Sequence, residues 1–330
     1  VFDLHRLRLL RELKHRGTLA AVAAALSYSP STVSQQLSQL EAEAGVRLLE
    51  PVGRRVRLTH QAEILVAHTE AVLERLERAQ ADIADSLTDV AGTLRVAAFQ
   101  TAALTLVPPA LTLLRTAHPQ LRPHVTESEP EDALPALLAR DFDLVVTEEY
   151  PGGAIPHPAE LDHEPLLADT LRLATPRPAH PTHPAHPTHP AHPAHPTHPA
   201  HPADDGPPTT LPTLRSLAGH PWVMEPEGTA AHRWAVSLCR DAGFEPDVRF
   251  ESSDLHLHLR LVEEGHAAAF LPDLVWNGRH PTVPLHSLPR ARHTRRISTV
   301  VRRGRAGHPA ITACRAALRR AAEGVARPMG

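Results

Sequence analysis

The stretch SYSPSTVSQQLSQLEAEAG, from Ser27 to Gly45, decides how the rest of this 330-residue chain is read. Ser29 is a good helix N-cap. Pro30 falls at the first helical position, where its missing N–H costs nothing. Val33, Leu37 and Leu40 recur at helical spacing and form a buried stripe. Ser31, Thr32, Ser34, Gln35, Ser38 and Gln39 lie mostly off that stripe, and Gly45 ends the helix. The helix therefore pairs an apolar face with one built only of short hydroxyls and amides.

Upstream, LHRLRLLRELKHRG (Leu4–Gly17) sets Leu4, Leu7, Leu10 and Leu13 three apart on one helical face. Gly17 stops that helix and Thr18 caps the next, LAAVAAAL. Downstream, VRLLEPVGRRVRLT (Val46–Thr59) reads as a hairpin, two strand-like pieces flanking Pro51-Val52-Gly53 with Arg54 and Arg55 at the tip. A helical run without Pro or Gly follows, from about His60 to Leu87. In it Leu65, Val72, Leu76, Ala79 and Ile83 make a coiled-coil-like seam that suits a partner helix. The alternative is a helix packed on its own domain.

Charge agrees with this reading. Residues 1–60 hold nine Arg or Lys against five acids, in a chain of net charge −3. A locally basic segment fits a polyanion. A helix-turn-helix followed by an Arg-tipped hairpin is a winged helix-turn-helix, and the expected partner is double-stranded DNA. Gln35, Gln36 and Gln39 offer paired donors and acceptors to base edges in the major groove. Ser29, Ser31, Thr32 and Ser34 can bond phosphates near the helix N-terminus. Arg54, Arg55 and Arg57 on the wing can reach the backbone or a narrow minor groove.

After Gly92 the texture changes to alternating strand-like and helical pieces: TLRVAAF, LRPHVTE, DLVVTEE, PWVMEPEG, DVRFESS, HAAAFLP and RISTVVRR, with helices between them. That alternation predicts an α/β domain with a mostly parallel sheet. Motifs GxSxG, GxGxxG, HExxH and the P-loop are absent, so no catalysis and no cofactor is expected. Cys239 and Cys314 show no CxxC spacing and read as reduced, structural thiols. No signal-peptide h-region and no apolar run long enough to span a bilayer is found. The expectation is a soluble, cytoplasmic protein.

LAAVAAALSYSPSTVSQQLSQLEAEAGVRLLEPVGRRVRLT resembles the N-terminal domain of LysR-type transcriptional regulators. GTLRVAAFQTAALTLVPPAL, DFDLVV and EEGHAAAFLP extend the likeness over nearly the whole chain. Many members carry Arg where this chain has Gln35. The resemblance implies an α/β architecture overall: a winged helix-turn-helix head at 1–60, a linker and dimerisation helix at 61–90, and an effector-binding domain at 91–327. That last domain is expected to be like the type 2 periplasmic binding proteins, two subdomains joined by two crossing strands. Subdomain I would be 92–167 plus 287–325 and subdomain II 168–286, with crossings near Ala168 and His286. The implied function is promoter binding by a homodimer or homotetramer, modulated by a small molecule between the subdomains. Ligands sit where strand ends meet helix N-termini. Gln100, Thr101 and Ala102 are the candidates on one side, and Gly228, Thr229 and Ala230 face them. Glu148 and Glu149 end a neighbouring strand, and an acidic pair there favours a ligand with an amine.

One feature competes with this reading. Residues 179–202 are eight X-His-Pro triplets, inside a low-complexity loop at 178–208. Imidazoles such as His180, His183, His186 and His189 can bind transition metals, which would make the protein a metal-responsive regulator or a metal buffer. Pro at every third position favours polyproline II, which places successive His ~9 Å apart along one edge. Two could share an ion, but a closed four-ligand site is disfavoured. No metal site is therefore assigned, and an inert loop is expected.

Overall fold

The computed structural model describes residues 1–53, 55–87, 89–152, 158–177, 214–288 and 293–325. The His-Pro repeat, with His180, His183, His186 and His189, lies outside the described residues.

Three helices build the head: α1 (Leu4–Arg16), α2 (Leu19–Leu26) and α3 (Pro30–Ala44). Side-chain caps start each of them. Asp3 accepts from His5 and Arg6 N–H, Thr18 from Ala21, and Ser29 from Thr32. Gly17 and Gly45 close α1 and α3 in the left-handed region. Leu7, Leu10, Leu13, Val22, Val33, Leu37 and Leu40 form one core. Leu9 is buried and Leu4 is exposed, because a helical stripe drifts from a strict three-residue spacing. Strands β1 (Leu49–Val52) and β2 (Arg55–Leu58) pair antiparallel, so Pro51 and Val52 belong to a strand and the turn falls at Gly53.

The long helix α4 (His60–Asp85), capped by Thr59, has two faces. Ala62, Val66, Thr69, Leu73, Glu77 and Ala81 are buried in the chain itself. The apolar residues Ile64, Val72, Leu76 and Ile83 are exposed, as is Leu87 just beyond the helix.

The rest is two α/β lobes sharing a seven-stranded sheet. In the first lobe β3 (Gly92–Ala98) pairs in parallel with β4 (Leu121–Glu127) and β5 (Leu144–Glu149). Helices α5 (Gln100–Thr105), α6 (Val107–Ala117) and α7 (Pro130–Leu138) connect these strands. The inner part of β5 is apolar at successive positions, as expected for a strand buried on both faces. The fourteen-residue β6 (Leu161–Ala174) belongs to both lobes. Its residues 161–170 pair with β11 (Thr294–Arg302), and its end pairs with β9 (Ala269–Pro272) and β10 (Leu285–Ser287). β11 in turn lies between β6 and β5. The second lobe adds β7 (Pro221–Met224), β8 (Asp247–Glu251), α8 (Ala230–Asp241) and α9 (Leu255–Glu263). The terminal helix α10 (Pro309–Val325) packs its Ile311, Cys314 and Leu318 into the first lobe's core.

Head, linker and first lobe meet at a polar junction. Buried Arg11 of α1 donates to Glu12, to Glu70 of α4 and to the Leu138 carbonyl at the end of α7. Glu77 of α4 accepts from Arg302 at 2.8 Å and Arg140 at 3.0 Å. Gly304 lies against α4 so closely that a Cβ there would stand 2.6 Å from the Glu74 carbonyl oxygen.

Candidate nucleic-acid interface and ligand cleft

On α3 the polar face predicted from spacing is presented outward. Ser31, Ser34, Gln35 and Gln39 are exposed, and Thr32 is half-buried. The Ser29 hydroxyl caps the helix and lies 2.8 Å from both the Ser31 and Thr32 hydroxyls. Gln36 differs. It is half-buried, and its Oε1 accepts from Arg6 Nε of α1 at 3.1 Å. Its position explains this: 33, 36, 37 and 40 recur as one helical stripe, so Gln36 sits at the edge of the buried face. Its paired donor and acceptor edge is therefore not free for a base. On the wing, Arg57 stands directly opposite Glu50 and donates to it at 2.9 Å. Arg54 and the side chain of Arg55 lie outside the described residues.

The cleft is organised by Arg295, a residue that spacing did not single out. It is 1% exposed and all three of its nitrogens are engaged. Nε donates to Asp169 at 2.9 Å and Nη2 to Thr101 at 2.7 Å, and Nη2 stands 2.7 Å from the Asp169 carboxylate in an ion pair. Nη1 donates to Glu148 and, at 3.4 Å, to Tyr150. Register produces this cluster. Arg295 sits directly across from Asp169 on β6, and Glu148 of β5 pairs with Ile297, two residues along and on the same face. Burial works against the charge of Arg295, but Glu148, Tyr150 and Asp169 outweigh it and hold the guanidinium protonated. Burial in turn raises the Glu148 and Asp169 carboxyls above their ordinary values despite Arg295.

The predicted cleft residues divide accordingly. Thr101 and Glu148 face the cleft but are committed to Arg295. Glu149 points to the other face of β5 and pairs with exposed Arg296. Ala102 is fully buried in the core. Gln100 bridges the lobes: its amide donates to Asp254 at 2.6 Å, and its oxygen accepts from Leu255 N–H at the start of α9 at 2.8 Å. Thr229 caps α8 through His232 N–H, and Gly228 precedes it at φ 98°. The Ala230 N–H is occupied by Glu131 of the first lobe at 2.7 Å. An internal carboxylate thus holds the helix N-terminus expected to receive a ligand.

Behind these contacts lies a small pocket in the second lobe, lined by Tyr150, Glu225, Trp234, Leu255, His258 and Phe270. Burial, then Glu148 and Glu129, pushes the Glu225 carboxyl up to about 9. Burial, then Glu148 and Glu131, lifts Glu129 to about 7. Burial keeps His258 below its ordinary value, hence neutral near pH 7. Glu225, Glu129, Asp169 and Arg295 were all missed from sequence. Among the described residues no group of three or more His, Cys, Asp or Glu could hold a metal ion. No helix among them is long and apolar enough to cross a membrane.

Comparison with known proteins matches both halves of the chain. Residues 4–63 match the family described as bacterial regulatory helix-turn-helix protein, lysR family. Residues 88–323 match the LysR substrate binding domain. The transcriptional dual regulator GltC of Bacillus subtilis (strain 168) is 23% identical over 271 residues, 82% of this chain and 81% of that one. A probable hydrogen peroxide-inducible genes activator of Mycobacterium xenopi is 33% identical over 178 residues, 53% of this chain and 89% of that one. Among solved structures, a full-length OxyR variant from Pseudomonas aeruginosa superposes with a TM-score of 0.64 at 20% identity, covering 97% of this chain and 95% of that one. Full-length CbnR complexed with its target DNA gives a TM-score of 0.50 at 22% identity, covering 97% and 100%.

Proposed function

Because the chain belongs to the LysR family of transcriptional regulators and carries both its helix-turn-helix head and its substrate-binding domain, we propose that it binds promoter DNA under the control of a small molecule held between its two lobes. The observation that carries the DNA half is the outward face of α3. Ser34, Gln35 and Gln39 are exposed and make no bond to another described residue, while Ser29 leaves the helix N-terminus ordered for a phosphate. Gln35 and Gln39, rather than Gln36, read bases. Arg57 and the wing tip residues Arg54 and Arg55 contact the backbone. CbnR, solved with its target DNA, supports that partner.

The exposed apolar face of α4, with Val72, Leu76 and Ile83, joins two copies of the chain, so that two heads address a two-fold site. Gln100, Thr101 and Glu148 from the first lobe and Gly228 and Thr229 from the second frame the effector cleft. We assign the protein no catalytic role, and the cytoplasm as its place of action. Peroxide sensing, suggested by the name of the Mycobacterium xenopi relative, is not carried over. Cys239 and Cys314 are both buried, in separate cores, and burial pushes each thiol up to about 12. A redox-sensing thiol needs exposure and thiolate character instead.

The test is selection of bound fragments from genomic DNA, followed by binding titrations. Gln39→Ala and Gln35→Ala should change the selected sequence, and each should cost about 1–3 kcal/mol on the preferred site. If both variants select the wild-type sequence with wild-type affinity, the face assignment is wrong.

A further inference from the structure

The bonding of the cleft leaves its charge unbalanced. Arg295 serves both Glu148 and Asp169, so that cluster already carries one more carboxylate than cation. Three further acids stand near it. Glu129 and Glu131 come from the loop before α7 and its first turn, and Glu225 follows β7. Glu131 is spent on the Ala230 N–H. Glu225 is nine-tenths buried and lines the pocket, yet no hydrogen bond or ion pair reaches its carboxylate among the described residues. Its oxygens keep some contact with solvent, and a carboxylate this nearly enclosed still favours a partner.

Among the described residues, the groups near Glu225 offer no free cation. Glu148 of β5 and Tyr150 just after it, Glu129 just before α7 and Glu131 in its first turn, and His258 of α9 lie near it; His232 of α8 bonds its backbone carbonyl. Arg295 is consumed, and exposed Arg233 turns to the Gly228 carbonyl. The opposite wall is aromatic. Trp234 packs on Tyr150 with centroids 5.4 Å apart and edge-on against Phe270 at 5.1 Å. Carboxylates opposite aromatic faces make a receptor for a cation, since ring quadrupoles attract positive charge.

We infer that the ligand of this pocket is a small organic cation, an ammonium or guanidinium group on an apolar body, whose charge is received by Glu225 beside Trp234, Tyr150 and Phe270. This rests on the reading of the cleft as the effector site and names the chemical class that it takes. The amine expected from Glu148 and Glu149 is kept, but its receptors change. Glu148 belongs to Arg295, and Glu149 faces away. Before a cation arrives Glu225 holds a proton near pH 7, so binding a cation expels that proton.

The experiment is calorimetric titration of the full-length protein with agmatine, 1,4-diaminobutane and phenethylamine, and in parallel with benzoate and succinate. At least one cation should bind and release close to one proton, read from the dependence of heat on buffer ionisation. Its affinity should strengthen up to tenfold per pH unit between pH 6.5 and 8.5. Glu225→Gln, checked for folding by tryptophan fluorescence, should weaken it at least tenfold. Binding of benzoate or succinate alone overturns the cation assignment while leaving the cleft an effector site. Cation binding without proton release and unchanged in Glu225→Gln overturns it too. So does binding by neither class, and the DNA titrations then test the regulator reading on their own.

Discussion

Glu225→Gln turns the protonation of the cleft into a stability measurement. Burial and the neighbouring Glu148 and Glu129 raise the Glu225 carboxyl from an ordinary 4.5 to about 9. Over that window the folded chain keeps a proton that the unfolded chain has released. Stability linked to a raised pKa is whole at pH below the unfolded value and is lost as pH climbs through the folded value. The limiting slope is about 1.4 kcal/mol per pH unit. Gln has no proton to lose, so the variant drops this part of the slope. Between pH 6 and pH 8 the stability difference should move toward the variant by about 1–3 kcal/mol, the lower end if water reaches the ionised carboxylate. Glu129 titrates in both proteins and largely cancels. Urea unfolding followed by tryptophan fluorescence reports on the right region, because Trp222, Trp234 and Trp276 all lie in the second lobe. A difference between wild type and variant that stays flat from pH 6 to 8.5 would refute the reasoning, since Glu225 would then be titrating as an exposed acid.

Glu77→Ala strips the partner from Arg302 and Arg140 at the junction of linker and first lobe, and should cost about 3–5 kcal/mol in equilibrium unfolding. A loss below about 1 kcal/mol would mean that water already screens the pair. Gly304→Ala places a methyl group 2.6 Å from the Glu74 carbonyl oxygen without any positive φ to relieve. It should lower stability by about 1–3 kcal/mol through overpacking alone, and a neutral effect on the urea midpoint would show that α4 moves away freely. Arg57→Ala frees Glu50 on the wing. It should reduce the slope of log affinity against log salt by about 0.9 for each phosphate that Arg57 neutralises, and an unchanged slope removes Arg57 from the interface.

The head was legible because its signals are local. Caps, glycine stops and a 3.6-residue stripe are each set by neighbours within a turn or two, and α1 to α4 follow them. Gln36 lies three residues after Val33, at the edge of the core stripe, so helical phase rather than residue type sets its half-burial. Glu149 follows the same logic, because strand neighbours point to opposite faces and it turns to Arg296 while Glu148 turns to Arg295. Arg295 could not be read in advance. Its bonds to Glu148, Asp169 and Thr101 span 147, 126 and 194 residues, and no local pattern encodes them. Glu225 left one trace, a lone acid closing the apolar run PWVM. Such a residue follows its strand into the interior, but only the packed lobes reveal that no base meets it.

The placement of Arg295 and Arg302 on one strand bears on how the cleft can reach the head. β11 runs without interruption from Thr294 to Arg302. Arg295 sits at its cleft end, and Arg302 at the other end grips Glu77 of α4, seven residues or ~23 Å away. The strand is held between β5 and β6, with one register shift against β6 between Ile297 and Ser298. On the proposed function, the contact that a ligand biases is that between the lobes, made by Gln100 on Asp254 and Leu255 and by Glu131 on Ala230. A ligand acts only through its unequal affinity for the two arrangements of that contact. Coupling is reciprocal, so a ligand that tightens DNA binding by some factor is itself bound tighter by that factor when DNA is present. Glu131→Gln weakens one latch without touching β11, and Arg302→Gln weakens the far grip without touching the cleft. If β11 carries the signal, Arg302→Gln abolishes the effect of ligand on DNA affinity while leaving ligand binding intact. Should the coupling survive in that variant, it travels through α1 and the bond from Arg11 to the Leu138 carbonyl instead.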